Sequence, residues 1–152
     1  MKRILFLAVL FLALSVSCKK SDPHDAGKQA QIDEQLIKDF IAANNIEATR
    51  DPSGLYYSVV RSGSGSIDYN NSTIKYKGRL LNGEIFDEGS FIGRDLPFDR
   101  LIQGWQIGIQ KIKAGGKIRL IIPSSLAYGP QSNPGIPANS VLDFDVELLN
   151  AY

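Results

Sequence analysis

One cysteine and one histidine in 152 residues leave little material for the usual side-chain chemistries. His24 lies in a polar stretch beside Asp22 and Asp25, where a solvated linker histidine is the ordinary outcome and a metal ligand the exception. Without a second histidine there is no Ser/His/Asp set and no Cys/His cluster for a metal. A phosphate-cradling glycine loop after a strand is missing, as is any motif of spaced carboxylates. Neither a metal nor a cofactor is therefore expected. An excess of one charge is also lacking: 17 basic residues face 16 acidic ones, for a net +1. That balance points away from nucleic acid and other polyanions as partners. Long hydrophobic runs are absent too. The unbroken apolar stretch Ile4 to Leu14 has only eleven residues. At ~1.5 Å per residue it cannot cross a ~30 Å hydrocarbon core.

That stretch has instead the length of a signal-peptide core, preceded by the cationic pair Lys2 and Arg3. The sequence Leu14-Ser15-Val16-Ser17-Cys18 that follows resembles a bacterial lipobox, with Ser15 where the motif usually carries an aliphatic residue. The resemblance implies a signal peptide over 1–17 and a lipid anchor on Cys18, placing the protein in the cell envelope at a periplasmic face or the cell surface. Acyl chains there would hold it to a membrane without a spanning helix, at ~0.8 kcal/mol per buried CH₂. They would also leave no thiol for a disulfide, a redox pair or nucleophilic catalysis. Plain secretion, with Cys18 merely downstream of the cut, is the alternative. Loss of the signal leaves 15 basic against 16 acidic residues.

Residues 18–27 read as a polar tether, and 28–50 as an amphipathic helix and linker. Ile32, Leu36, Ile37, Phe40 and Ile41 form one helical stripe, with Asp33, Glu34, Lys38 and Asp39 opposite and Asn44-Asn45 as a stop. The helix either packs on its own domain or serves as a dimerisation or partner helix. From 51 to 152 short β-type runs dominate after a turn-rich junction over Thr49 to Gly54. They are Leu55–Arg61, Thr73–Leu81, Glu84–Asp87 after the hairpin signal Asn82-Gly83, Lys117–Pro123 and Val141–Leu149. The last alternates Leu142, Phe144, Val146 and Leu148 against Asp143, Asp145 and Glu147, which predicts a strand with one wet face. A helical stretch near Trp105–Lys111 interrupts the strands. The class is α+β: an antiparallel sheet folded over one short helix, preceded by an N-terminal helix.

Aromatic residues are unusually dense beside the turns of this region: Tyr76, Phe86, Phe91, Phe98, Trp105, Tyr128 and Phe144. Any one alone would be ordinary core. Their order carries more. Ile74-Lys75-Tyr76-Lys77-Gly78, Asn82 to Asp87, Leu101-Ile102-Gln103-Gly104-Trp105, Ile121 to Gly129, Asn133 to Pro137 and Phe144 to Leu149 together resemble the FKBP-type prolyl isomerases. The resemblance spans about Leu55 to Leu149 and implies a five- or six-stranded antiparallel sheet around one short helix, with the active pocket between them.

It also implies roles. Trp105 would floor the pocket, with Tyr76, Phe86, Leu101, Ile102, Ile136 and Phe144 as walls. Tyr128 and Asp87 would be the polar groups at the rim, Asp87 held by the Tyr76 hydroxyl, and the loop from Gly129 to Ala138 would overhang. The segment between Phe86 and Trp105 is shorter than in many relatives, so either Phe98 or Leu96 fills its aromatic position. Asn133 stands where some members carry histidine, and a single Ile136 replaces an aliphatic pair. These departures bear on substrate preference and macrolide affinity more than on catalysis. The implied activity is cis-trans isomerisation of X-Pro bonds in unfolded or partly folded chains, with macrolides as possible inhibitors. A proline-binding chaperone or scaffold with little turnover is the other reading, and a structural domain with a vestigial pocket a third.

Overall fold

In the computed structural model, residues 23–65, 69–70 and 72–151 are described. The signal segment 1–17 and Cys18 lie outside the described residues. Helix α1 (Pro23–Ala43) begins before the expected Lys28, so Pro23 to Gly27 belong to the helix and not to the tether. Proline suits a first helical position because the N–H it lacks would have no partner there. The expected stop holds: the Asn44 side chain donates to the Phe40 carbonyl at 2.8 Å, and Asn45 takes a left-handed φ of 51°.

The face that α1 buries differs from the expected stripe. Ile37 is fully buried, with Phe40 and Ile41 beside it, but Ile32 and Leu36 are 43% and 45% exposed. In their place Asp33, expected on the wet side, is completely buried. Periodicity ranks residues by polarity. It cannot see that two hydrogen-bond donors await this carboxylate elsewhere in the chain.

Six strands form one antiparallel sheet in the order β1-β2-β5-β6-β3-β4. They are β1 (Thr49–Arg50), β2 (Tyr56–Arg61), β3 (Ser72–Leu80), β4 (Ile85–Ile92), β5 (Lys117–Ile122) and β6 (Leu142–Ala151). β1 was hidden in the expected turn-rich junction, since two residues carry no alternation to detect; it pairs through Thr49↔Tyr57 and Arg50↔Tyr56. β4 runs on to Ile92, beyond the expected Asp87, because β3 offers it partners as far as Thr73.

Alternation gives the sheet two unlike faces. The inner face carries the main core, including Ile74, Ile118, Leu120, Leu142, Phe144 and Val146, against helix α2 (Gln103–Ile109). Two glycines let α2 lie this close: a Cβ on Gly104 would collide with Ile122, and one on Gly108 with Leu120. The outer face is covered at one end by α1, whose Ile37 joins Tyr56, Ile121 and Val141 in a smaller cluster. Here the expected wet side of β6 needs correction. Asp143 is only 2% exposed, bound by Arg119 through two bonds of 2.8 and 2.9 Å and by Arg79 at 3.2 Å. Two guanidinium groups let an acid lie beneath the helix without facing water. Among the described residues no helix is long and apolar enough to cross a membrane.

Candidate active site

The inner face rises to a cluster of rings where β3, β4, β6 and α2 meet. Trp105 enters from the first turn of α2, its backbone N–H bonded to the Ile102 carbonyl at 3.0 Å. The indole is 5% exposed. Tyr76 of β3 and Phe144 of β6 stand edge-on to it, with centroids at 5.5 and 5.2 Å. Phe86 of β4 stands edge-on to Phe144 at 5.4 Å. Such T-shaped pairs set ring edges against ring faces and hold the side chains rigid. Gly78, paired with Phe144 in the β3–β6 ladder, makes the crowding possible. A Cβ there would lie 2.5 Å from the Phe144 ring and 2.6 Å from that of Phe86.

Polar groups occupy the margin. The Tyr76 hydroxyl donates to Oδ2 of the exposed Asp87 at 2.8 Å. Burial, and then the bond to that carboxylate, push the Tyr76 pKa up to about 12, so this phenol stays a donor across the physiological range. Tyr128 follows the 3₁₀ turn Ser124–Leu126 and is 37% exposed. Its pKa is also raised, by burial first and then by the charge of Asp87. Among the described residues no hydrogen bond engages the Tyr128 hydroxyl. The indole Nε1 of Trp105 is likewise buried without a partner.

The overhanging loop closes on itself. Asn133 and Ile136 exchange backbone bonds of 2.9 and 2.8 Å, and the Asn139 N–H bonds to the Gly129 carbonyl at 2.7 Å. Its tip rests against β4, where a Cβ on Gly135 would sit 3.2 Å from that of Phe86. Ile136 is 6% exposed, and Leu101 and Ile102 are half-buried against the main core.

The segment between Phe86 and Trp105 fills its place in an unexpected way. Phe98 pairs edge-on with Tyr69 at 5.1 Å, and Leu96 accepts the Tyr69 hydroxyl on its carbonyl at 2.9 Å. The ring from this segment that meets Trp105 is Phe91, stacked at 6.3 Å with an interplanar angle of 20° and edge-on to Tyr76 at 6.0 Å. Sequence reasoning noted Phe91 among the aromatics but gave it no place in the pocket. Its signal was parity with Gly89 and Asp87 along β4, which is visible only once that strand is extended. Among the described residues no three His, Cys, Asp or Glu side chains converge as metal ligands.

Comparisons with known proteins agree with this geometry. A family profile described as FKBP-type peptidyl-prolyl cis-trans isomerase matches residues 68–149. The chain is 48% identical over 102 residues to the FKBP-type peptidyl-prolyl cis-trans isomerase FkpA of Escherichia coli K12, covering 64% of this chain and 38% of that protein. It is 44% identical over 121 residues to the FkpA of Buchnera aphidicola from Acyrthosiphon pisum, covering 77% of this chain and 49% of the relative. The crystal structure of Escherichia coli FkpA superposes with a TM-score of 0.64 at 38% identity, over 84% of this chain and 62% of the other. The chain thus spans less than half the length of these two curated relatives.

Proposed function

Because the chain belongs to the FKBP-type peptidyl-prolyl cis-trans isomerase family, we propose that it twists X-Pro amides in the cleft above Trp105. The observation that carries this reading is an indole buried to 5% exposure and ringed by Tyr76, Phe91 and Phe144, with polar groups only at the rim. An X-Pro amide resists rotation by ~18–20 kcal/mol because resonance flattens its C–N bond. Twisting removes that resonance and with it part of the charge separation of the planar amide. Water stabilises the planar form, so a dry aromatic cleft favours the twisted one, which is differential binding of a transition state.

No nucleophile or proton shuttle is needed. Trp105 and Phe144 grip the pyrrolidine ring, with Phe86, Leu101, Ile102 and Ile136 as walls. The unengaged Tyr128 hydroxyl donates to a substrate carbonyl, and Asp87, fixed by Tyr76, presents a carboxylate near the amide. Phe98, paired edge-on with Tyr69 and packed against the same core as Trp105, is the further ring proposed to contact substrate. Proline-containing chains are the substrates, and macrolides that mimic the twisted amide are inhibitors.

Relaxation of a short cis-proline peptide tests the reading. The wild-type chain should accelerate it, and Trp105→Ala should cut that acceleration by about a hundredfold. Asp87→Val should fall between the two. A wild-type rate equal to the uncatalysed one, with the peptide still bound, would favour the scaffold reading.

We further propose that Cys18 carries a lipid anchor that keeps the folded domain at an envelope membrane. The lipobox-like residues, and a cysteine used nowhere else in the sequence standing at their end, support this. Cys18→Ala should move the protein from the membrane to the soluble fraction without altering its melting. Recovery of the unaltered protein wholly in the soluble fraction would refute the anchor.

A further inference from the structure

Asp33 is a buried carboxylate for which the isomerase mechanism has no use. It lies in α1, away from the aromatic cleft, and is fully buried. No cation pairs with it among the described residues. A charge held this way is costly unless every lone pair finds a donor. Oδ2 accepts the backbone N–H of Ser124 at 2.8 Å and its hydroxyl at 2.6 Å, across 91 residues of sequence. Oδ1 accepts the Gln29 side-chain amide at 2.8 Å.

Ser124 in turn holds the rim. Its carbonyl accepts the N–H groups of Ala127 at 3.0 Å and Gly129 at 2.8 Å, which flank Tyr128 on both sides. Gly129 passes the constraint on to Asn139 at the far end of the overhanging loop. Elsewhere helix and loop stand apart, separated by a cleft of about 490 Å³ between Gln29 and Ile32 on one side and Gly129, Pro130 and Asn139 on the other. Among the described residues the Asp33–Ser124 contact is therefore the polar fastening between the N-terminal helix and the turn that carries Tyr128.

We infer that Asp33 is a positioning residue for the isomerase: through Ser124 it fixes the Tyr128 hydroxyl where a substrate carbonyl meets it. This rests on the isomerase reading above. It gives α1 a part in the reaction, although none of its residues touches substrate. The side chain's shape matters more than its charge, since an asparagine at this position keeps an oxygen toward Ser124 and donates its amide to Gln29 once the Gln29 side chain flips to present its oxygen.

The test is a cycle in the 152-residue chain. Asp33→Ala should lower kcat of prolyl isomerisation about tenfold with KM little changed, and Asp33→Asn should stay within about twofold of wild type. Ser124→Ala, which keeps the backbone bond, should fall between them and guards against a misfolded alanine variant. In a Tyr128→Phe background the Asp33→Ala loss should shrink to less than about twofold, because the group being positioned is already gone. Amide exchange at Ala127 and Gly129 should quicken in Asp33→Ala while β5 and β6 keep their protection.

Equal losses in both backgrounds, or unchanged exchange at those two amides, would overturn the inference. A wild-type chain without rate enhancement would remove the isomerase reading instead, and the exchange comparison alone would then decide whether Asp33 holds the turn.

Discussion

The two faces of the sheet solve opposite problems with neighbouring residues of the same strands. On β6, Phe144 looks inward to Trp105 at 5.2 Å while Asp143, one residue earlier, looks outward to two arginines. The inner face excludes water with rings that hold one another edge-on. The outer face buries a charge under α1 and neutralises it, with Phe40 of the helix lying over the Arg119 guanidinium at 5.7 Å. Dryness without charge makes a place where an amide can lose its planarity. Burial with paired charge makes a place where a helix can dock in one orientation. Stability and activity should therefore respond differently to damage on each face.

The largest expected effect on stability lies outside. Asp143→Ala takes the buried acid from two half-buried guanidinium groups, of which Arg79 keeps Asp145 at 2.7 Å, and should cost about 2–4 kcal/mol in denaturant unfolding. The rate per folded molecule should stay close to wild type, and a collapse of that rate would show that the faces are coupled. The inner counterpart is Gly78→Ala, which drives a methyl group between Phe86 and Phe144. It should cost about 1–3 kcal/mol, yet reduce isomerisation by about tenfold or more in the molecules that remain folded. An alanine variant of undiminished rate would mean the rings can part without consequence.

The smallest effect concerns the ion pair at the inner margin, Lys111 to Asp51 at 2.7 Å, with the lysine also over the Tyr57 ring. The Lys111 bond, then those from Ser53, lower the Asp51 pKa from 3.8 to about 2. A depressed carboxylate stabilises the fold above its unfolded value and loses that contribution as pH falls through the folded one. Urea midpoints should thus decline between about pH 4 and pH 2, and Asp51→Asn should flatten part of that decline. Identical slopes for the two proteins would remove Asp51 from the acid response.

The inner face was far more legible in the sequence than the outer. Alternation along β6 predicted an antiparallel sheet over a short helix, and the resemblance carried by Tyr76, Phe86, Trp105, Tyr128 and Phe144 implied five or six strands, of which the structure has six. On β3 and β6 the ring residues keep their meaning locally, since strand parity decides which way Tyr76 and Phe144 point. The outer face depends on contacts between distant segments. Asp33 and Asp143 both read as solvent-facing acids, and each is buried because donors arrive from other elements: Ser124 for one, Arg79 and Arg119 for the other. Ile32 and Leu36 were displaced to the surface for the same reason. Phe91 was given no place in the pocket because β4 continues past the short run its own residues suggest, sustained by β3.

The paired glycines of α2 set a tolerance for the whole catalytic end. With bare backbone against Ile122 and Leu120, the helix lies at the nearest approach its own atoms permit. Any added carbon can only raise it. The indole rides on that helix, so a methyl group at Gly104 or Gly108 would shift it against Tyr76, Phe91 and Phe144 although neither glycine lies among those rings.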